Sequence, residues 1–510
     1  MPFVPAAACR STRMGLVILL GLSACQREQP LVPVDQNPAT AVPTINSAQV
    51  AADPRNPEHP AEDKPSVTNR SDPDPDPFPD PVEVPVYRPD DGRIPHDVAR
   101  LAAVGIQVFE SKRLRLYTDL PADKAESLPQ LIDEVYLVWE DYFGTLPEDR
   151  AGRDFQISGY LMQDEALFRG LGLVPADFSF EHGAQRRNEF WMREQEFDYY
   201  RRHLLIHEAT HCYMTFVPGV DAPNWYLEGM AEYFATHRRV SGSPTEFRTM
   251  PTSPEEFAGF GRISLLRKDV AANKLATIPT ILALVPAQFV EPDPYAWSWG
   301  LCLFLDSHPR YHDRFQQLSA FTRGKQFSRQ FEALFGGDRH DLEAEWSLFA
   351  SNLQYGYDLH RAAIDFQPGS LLDQESPART VSVAADHGWQ SSGVKLEQGK
   401  TYDVVAVGEF TLAKASDQGK AWLSEPQGIS YRYFDGKPIG TLLGALHAES
   451  GPSGGTGTTL LNVIRLGKGC TFQAPITGTL YLRINDAWNS LHDNGGQVQV
   501  TLRERSETPE

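Results

Sequence analysis

Three features of the sequence predict a multidomain α+β protein. A stretch rich in Pro and Asp sets residues 25–95 apart from the rest. Residues 197–353 carry a nearly unbroken helical pattern. Beyond Phe366, short β-branched runs alternate with Gly, Asp and Asn. The length of 510 residues suits two to four domains. With 41% hydrophobic and 22% charged residues, the chain is neither collagen-like, coiled-coil nor wholly disordered. Lys and Arg number 47 against 67 Asp and Glu, a net charge of -20. Such a surface repels phosphate backbones, which argues against a nucleic-acid partner. Five cysteines give no disulfide framework.

Residues 1–24 read as a signal peptide. Arg10 and Arg13 precede an apolar run from Gly15 to Ala24, too short to span a bilayer. The run ends Leu22-Ser23-Ala24-Cys25, which resembles a bacterial lipobox, in which the cysteine receives a lipid. The plainer alternative is a secretory signal with a chance cysteine. Lipidation of Cys25 implies a membrane-anchored protein of the cell envelope, facing periplasm or exterior. Processing removes two arginines and no acid, taking the charge from -20 to -22. The lipid, not a basic patch, would then hold the membrane.

Residues 25–95 read as a disordered tether. Residues 26–95 contain 16 of the 39 prolines, with 13 acids against 6 bases. The run from Asp72 to Pro81 excludes a helix or an inner strand, and the segment should be extended and self-repelling. Residues 96–365 read as a mixed sheet plus a mostly helical part. Strands are expected at Ile106–Tyr117, Phe155–Met162 and Asn188–Arg193, with a helix over Ala122–Phe143. Residues 375–503 read as an all-β sandwich, with strands at Tyr402–Val407, Thr459–Leu466, Thr479–Ile484 and Gln497–Leu502.

The chemistry gathers on two helices. The segment 199–216 contains His207-Glu208-Ala209-Thr210-His211. Residues i and i+4 differ by about 40° around a helix, so both imidazoles can grip one metal. Glu208 lies about 100° away, where a general base for metal-bound water belongs. His203 lies about 12 Å along the axis from His211, too far to share the metal, and is assigned a structural role. The next helix places Glu228 and Glu232 on one face, where acids need a partner or a metal. Cys212 and Cys302 sit in apolar helical contexts and read as buried thiols.

H-E-x-x-H followed by Trp225-Tyr-Leu-Glu228-Gly-Met-Ala resembles the gluzincin metallopeptidases. The resemblance implies a gluzincin-like catalytic domain with zinc held by His207, His211 and Glu228. It also implies that Glu232 supports a zinc histidine from behind. The stretches YYRRHLL (199–205), EGMAEYFATHR (228–238), YAWSWGLCLFLDSHPRY (295–311), FEALFG (331–336) and DLEAEW (341–346) resemble uncharacterised peptidase-MA-like domains of bacterial, especially planctomycete, lipoproteins. That likeness spans roughly residues 100–355. The 16 residues between His211 and Glu228 are fewer than in aminopeptidases, and no motif for a free amino terminus is visible. By resemblance Tyr295 is a candidate catalytic donor to an oxyanion; it reads equally as a core aromatic beside Trp297 and Trp299. Strand 188–193 is the candidate sheet edge for an extended peptide or protein substrate.

The segments GKTYDVVAVGEF (399–410) and TLYLRINDAWNSLHDNGGQVQVTL (479–502) resemble PA-IL-like galactose-binding β-sandwich lectins. That resemblance implies Ca2+ held by Asp486, Asp493 and Asn494 and by the backbone carbonyls of Ser490 and Leu412, with cell-surface carbohydrate as a partner. Turn-rich loops hold Asp and Asn in any case.

Two functions are therefore in play. One is a membrane-anchored zinc metallohydrolase, most simply a peptidase, with Glu208 as base. The other is a non-catalytic carbohydrate- or protein-binding lipoprotein with a structural zinc site. A structural site needs no general base, so Glu208 favours the enzyme.

Overall fold

The computed structural model describes residues 87–216, 222–240, 242–321, 326–413, 420–448 and 458–506. The expected signal peptide, Cys25 and the expected tether as far as residue 86 lie outside the described residues. No helix among the described residues is long and apolar enough to cross a membrane.

The N-terminal part is built on five strands: β1 (Gln107–Glu110), β2 (Leu114–Thr118), β3 (Ile157–Met162), β4 (Gly183–Arg186) and β5 (Glu189–Arg193). Their order is β1-β2-β3-β5-β4. Pairs β2–β3 and β3–β5 are parallel; β1–β2 and β4–β5 are antiparallel. Strand β3, a central parallel strand, is buried along its whole length. The expected strand 106–117 is thus a hairpin. The assignment of strand 188–193 to the sheet edge is corrected: β5 lies between β3 and β4, and β4 is the edge. Residues 183–186 escaped notice because Gly-Ala-Gln-Arg lacks β-branched residues.

Helix α1 (Leu128–Phe143) crosses from β2 to β3 and buries Leu131, Ile132, Val135, Tyr136, Trp139 and Tyr142 at helical spacing. The helix expected over 122–143 is two helices, Ala122–Ala125 and α1. Pro129 in the first turn of α1 cannot continue an upstream ladder of hydrogen bonds, so the second helix starts there. Gly144, at φ +83°, closes it.

Helices α2 (Asp198–Phe216), α3 (Asn224–Ala235), α4 (Arg262–Ala271) and α5 (Pro292–Ser307) follow. Helix α2 is buried almost all round, so it shows no clean apolar stripe. Helix α3 packs between α2 and α5. The packing is close at Gly229. A Cβ there would stand 2.6 Å from both the Ser298 carbonyl oxygen and Cys302 Sγ. Cys212 and Cys302 are buried free thiols.

The C-terminal part holds two main sheets. One orders strands 427–434, 437–447, 478–484, 390–396 and 370–371, with 464–465 paired to 437–447. The other orders 469–473, 401–407, 497–504 and 379–384. Strand 401–407 alternates buried Tyr402, Val404 and Ala406 with more exposed neighbours. Leu396, Leu442, Leu480, Leu482, Val498, Val500 and Leu502 fill the core with them. The expected strand 459–466 is a single 3-10 turn at Thr459–Leu461 and a two-residue strand at Ile464–Arg465. The sandwich is not closed at every side. Trp389, Ala445, Tyr481, Trp488 and Leu491 belong to the same apolar cluster as the helical part.

Candidate metal centre

Helices α2 and α3 bring three expected ligands together. His211 Nε2 lies 3.1 Å from His207 Nε2 and 3.1 Å from Glu228 Oε2; His207 Nε2 to Glu228 Oε2 is 3.5 Å. A tetrahedral zinc with ligands at ~2.0–2.1 Å requires its ligand atoms roughly 3.3–3.4 Å apart. The triangle therefore has the right size for one zinc. Among the described residues it is the single group of three or more His, Cys, Asp or Glu side chains that close. The i, i+4 spacing on α2 supplies two corners, and the first half of α3 supplies the third.

Charge balance within the triangle is strong. Burial acts against ionised Glu228, yet the imidazoles of His211 and His207 hold its carboxyl down at about 2. Burial would likewise lower His211, but Glu228 outweighs it and raises the imidazole to about 8. These groups are arranged to share positive charge.

Glu208 is only 4% exposed. Burial, helped by the charges of Glu228 and Glu232 and opposed by His211, pushes its carboxyl up to about 8. Gly183 explains how the edge strand approaches it. A Cβ on Gly183 would stand 2.6 Å from Glu208 Oε1, so β4 lies directly against this carboxylate. The sheet edge that can take up an extended chain and the candidate base are therefore neighbours.

Glu232 lies behind the triangle. Its Oε1 is 3.5 Å from His207 Nδ1, long for a hydrogen bond, and His207 Nδ1 is buried without another partner. The carboxylate is held firmly by others. Arg262, at the start of α4, donates Nε to Oε2 at 3.1 Å and an Nη to Oε1 at 2.8 Å. His203 Nε2 meets Oε2 at 3.1 Å, and its Nδ1 faces the Ala235 carbonyl at 3.0 Å. These partners hold Glu232 well below the usual carboxylate range although burial opposes it. His203 thus has the structural place expected of it. Arg262 is the residue that sequence reasoning missed. It lies 34 positions after Glu228 with no motif around it, and only the buried acid on α3 signals that a cation must come from somewhere.

Tyr295 lies beside the site, its ring 6.2 Å from that of His207. Its hydroxyl donates to the Phe289 carbonyl at 3.1 Å rather than toward the ligand triangle. Arg262 lies 5.8 Å from the Tyr295 ring centroid. A role at an oxyanion would require the hydroxyl to leave Phe289.

The C-terminal candidates also converge. Asp486 and Asn494 are 4% and 3% exposed. The Asn494 amide favours the ionised Asp486 carboxylate, while Asp493 opposes it; burial is the largest influence and raises Asp486. Thr411 and Gly495 exchange backbone hydrogen bonds, at 2.8 and 3.0 Å, which sets Leu412 next to Asn494 in the pairing. Asp493 Oδ1 and Asn494 Oδ1 are buried with no hydrogen-bond partner. Oxygen ligands without donors suit a hard cation such as Ca2+.

No known protein family matches the chain, and no curated protein matches it. Among solved structures, the N-terminal domain of EclA, described as a PllA-like lectin, is 20% identical. That match covers 25% of this chain and 95% of the other, at a TM-score of 0.19. PliG of Aeromonas hydrophila, a periplasmic inhibitor of g-type lysozyme, is 10% identical over 25% of this chain and 85% of its own, at 0.13. TM-scores this low decide nothing about function, so the metal centre stands on its own geometry.

Proposed function

We propose that the protein is a zinc-dependent hydrolase of the gluzincin type, acting on peptide bonds and tethered to the cell envelope through a lipid on Cys25. The observation that supports it is the triangle of His207, His211 and Glu228 beside buried Glu208 and the open edge of β4. Zinc bound there would act as a Lewis acid on the scissile carbonyl and supply an activated water. His207, His211 and Glu228 would hold it. Glu208 would take a proton from the attacking water and deliver it to the leaving amine. Edge strand β4 would align an extended substrate by backbone pairing. Glu232, clamped by Arg262 and His203, would fix the orientation of His207. The sandwich is proposed to carry a Ca2+ at Asp486, Asp493 and Asn494.

The test is a metal analysis joined to digestion of a broad peptide library, with and without chelator. The wild type should carry about one zinc per chain and cleave peptides until chelated. A His207→Ala/His211→Ala variant should lose both metal and cleavage. Full zinc without any cleavage would favour a non-catalytic binding protein with a structural metal.

A further inference from the structure

The loop that resemblance assigns to calcium and sugar is packed against the helical part of the protein. Trp488 is 2% exposed, and its ring stacks on Tyr357 at 5.5 Å. The Trp488 carbonyl accepts from Asp358 N–H at 3.1 Å, and Asn489 donates to the Tyr355 carbonyl at 3.0 Å. With its amide oxygen turned to the loop, Gln354 accepts from the N–H groups of Trp488 and Asn489 at 2.9 and 3.1 Å. Residues 354–358 directly follow the helix Arg339–Asn352. Nearby, Arg361 binds the Asp386 carboxylate at 2.7 Å, and Gly388 N–H donates to the Arg361 carbonyl at 2.8 Å.

The electrostatics of the same loop call for a cation. Asp486 and Asp493 are in no ion pair among the described residues. The nearby buried Arg483 favours the Asp486 charge only weakly and forms no ion pair with either acid among the described residues. Its guanidinium lies 3.7 Å from the Trp488 ring centroid and donates to the backbone carbonyls of Ile484 and Asp486. Buried Asp486 and half-buried Asp493 thus lie with buried Asn494, and Asp493 Oδ1 and Asn494 Oδ1 have no protein donor. The Trp488 side of the loop is already occupied by residues 354–358 and is closed to a sugar.

We propose that loop 486–494 is a buried divalent-cation clasp that locks the β-sandwich onto residues 354–358, rather than a sugar-binding loop. This rests on the calcium reading given above. Ca2+ between Asp486, Asp493 and Asn494 would hold the loop in the conformation that presents Trp488 to Tyr357. Binding only to the docked form, it would stabilise the whole two-part body by mass action.

The experiment uses the full chain with zinc held constant, freed of calcium on a chelating resin, and three variants. CaCl2 alone is the titrant, with MgCl2 and free galactose as further arms. One calcium should bind the wild type. At about a hundredfold excess over its dissociation constant it should raise the unfolding temperature by about 3 °C. It should also protect the 366–378 connection from protease. Asp493→Asn and Asn494→Leu should lose calcium binding and the temperature shift together. Trp488→Leu should keep calcium binding, because the ligands remain, yet lose the protease protection. No calcium binding to folded wild type would overturn the calcium reading and the clasp with it. Calcium binding that leaves both stability and protease sensitivity unchanged would overturn the clasp alone. So would calcium-dependent galactose binding abolished by Asp493→Asn.

Discussion

Glu208→Gln separates catalysis from structure, and its stability effect has a calculable sign. The carboxyl is buried and raised from 4.5 to about 8 in the metal-free protein. An acid raised on folding stays protonated in the native state between those two values, while the unfolded chain is ionised. Native stability is therefore complete below about pH 4.5 and falls as pH rises toward about 8. At pH 7 the loss is roughly 2.5 pH units at 1.36 kcal/mol each, about 3 kcal/mol. Glutamine keeps the volume and has no charge to bury. Metal-free Glu208→Gln should therefore be more stable than metal-free wild type at pH 7 by up to about 3 kcal/mol, and equal to it at pH 4. Zinc, whose positive charge favours the ionised glutamate, should shrink the difference. Peptide hydrolysis should drop at least ~10²-fold with zinc retained. Thermal unfolding at the two pH values, with and without zinc, and one peptide assay measure all of this. Equal hydrolysis by wild type and variant would refute the base assignment. A variant less stable than wild type at pH 7 without metal would refute the electrostatic reasoning.

Other expectations follow from neighbouring residues. Arg262→Met leaves the Glu232 carboxylate buried with two histidines, His203 at 3.1 Å and the more distant His207 at 3.5 Å. Chemical denaturation should show a loss of about 3–5 kcal/mol, and competition with a zinc chelator should show affinity weakened about 10–100-fold; unchanged stability would mean the Arg262–Glu232 pair is dispensable. In Gly183→Ala the new methyl would stand 2.6 Å from Glu208 Oε1 and force that carboxylate aside. Zinc content should be normal while hydrolysis falls by about 10²-fold, and normal turnover would show that the edge strand's closeness to Glu208 is irrelevant. Cys25→Ser should move the protein from the membrane fraction to the soluble envelope fraction; retention after a high-salt wash would count against lipidation.

The sequence was most informative where one element carries its own spacing. The histidines of α2 and the acids of α3 could be placed on helix faces because i, i+4 is a property of a single helix. Close approach between elements was not legible. Strand β4 has weak strand residues and is defined by its pairing with β5, so the sheet edge was assigned one strand too far inward. Arg262 reaches Glu232 across a fold of the chain that no local pattern encodes. The split at Pro129 was visible in principle, since a proline marks a first turn better than a helix interior. Trp488 looked like one more residue in a turn-rich loop. Its burial comes from a surface more than 130 residues upstream, which only the assembled structure supplies.

The shared core has a consequence for how such a chain can be inherited. Recombination moves pieces that are closed on every side, because a closed piece folds wherever it lands. The sandwich here lacks that independence. Separation would bare Trp389, Tyr481, Trp488 and Leu491, and would strip Tyr357 of its stacking partner. Neither half could be exchanged for an unrelated one without rebuilding the other's exposed face. The two parts should therefore descend together, with substitutions at Tyr357 matched by substitutions at Trp488.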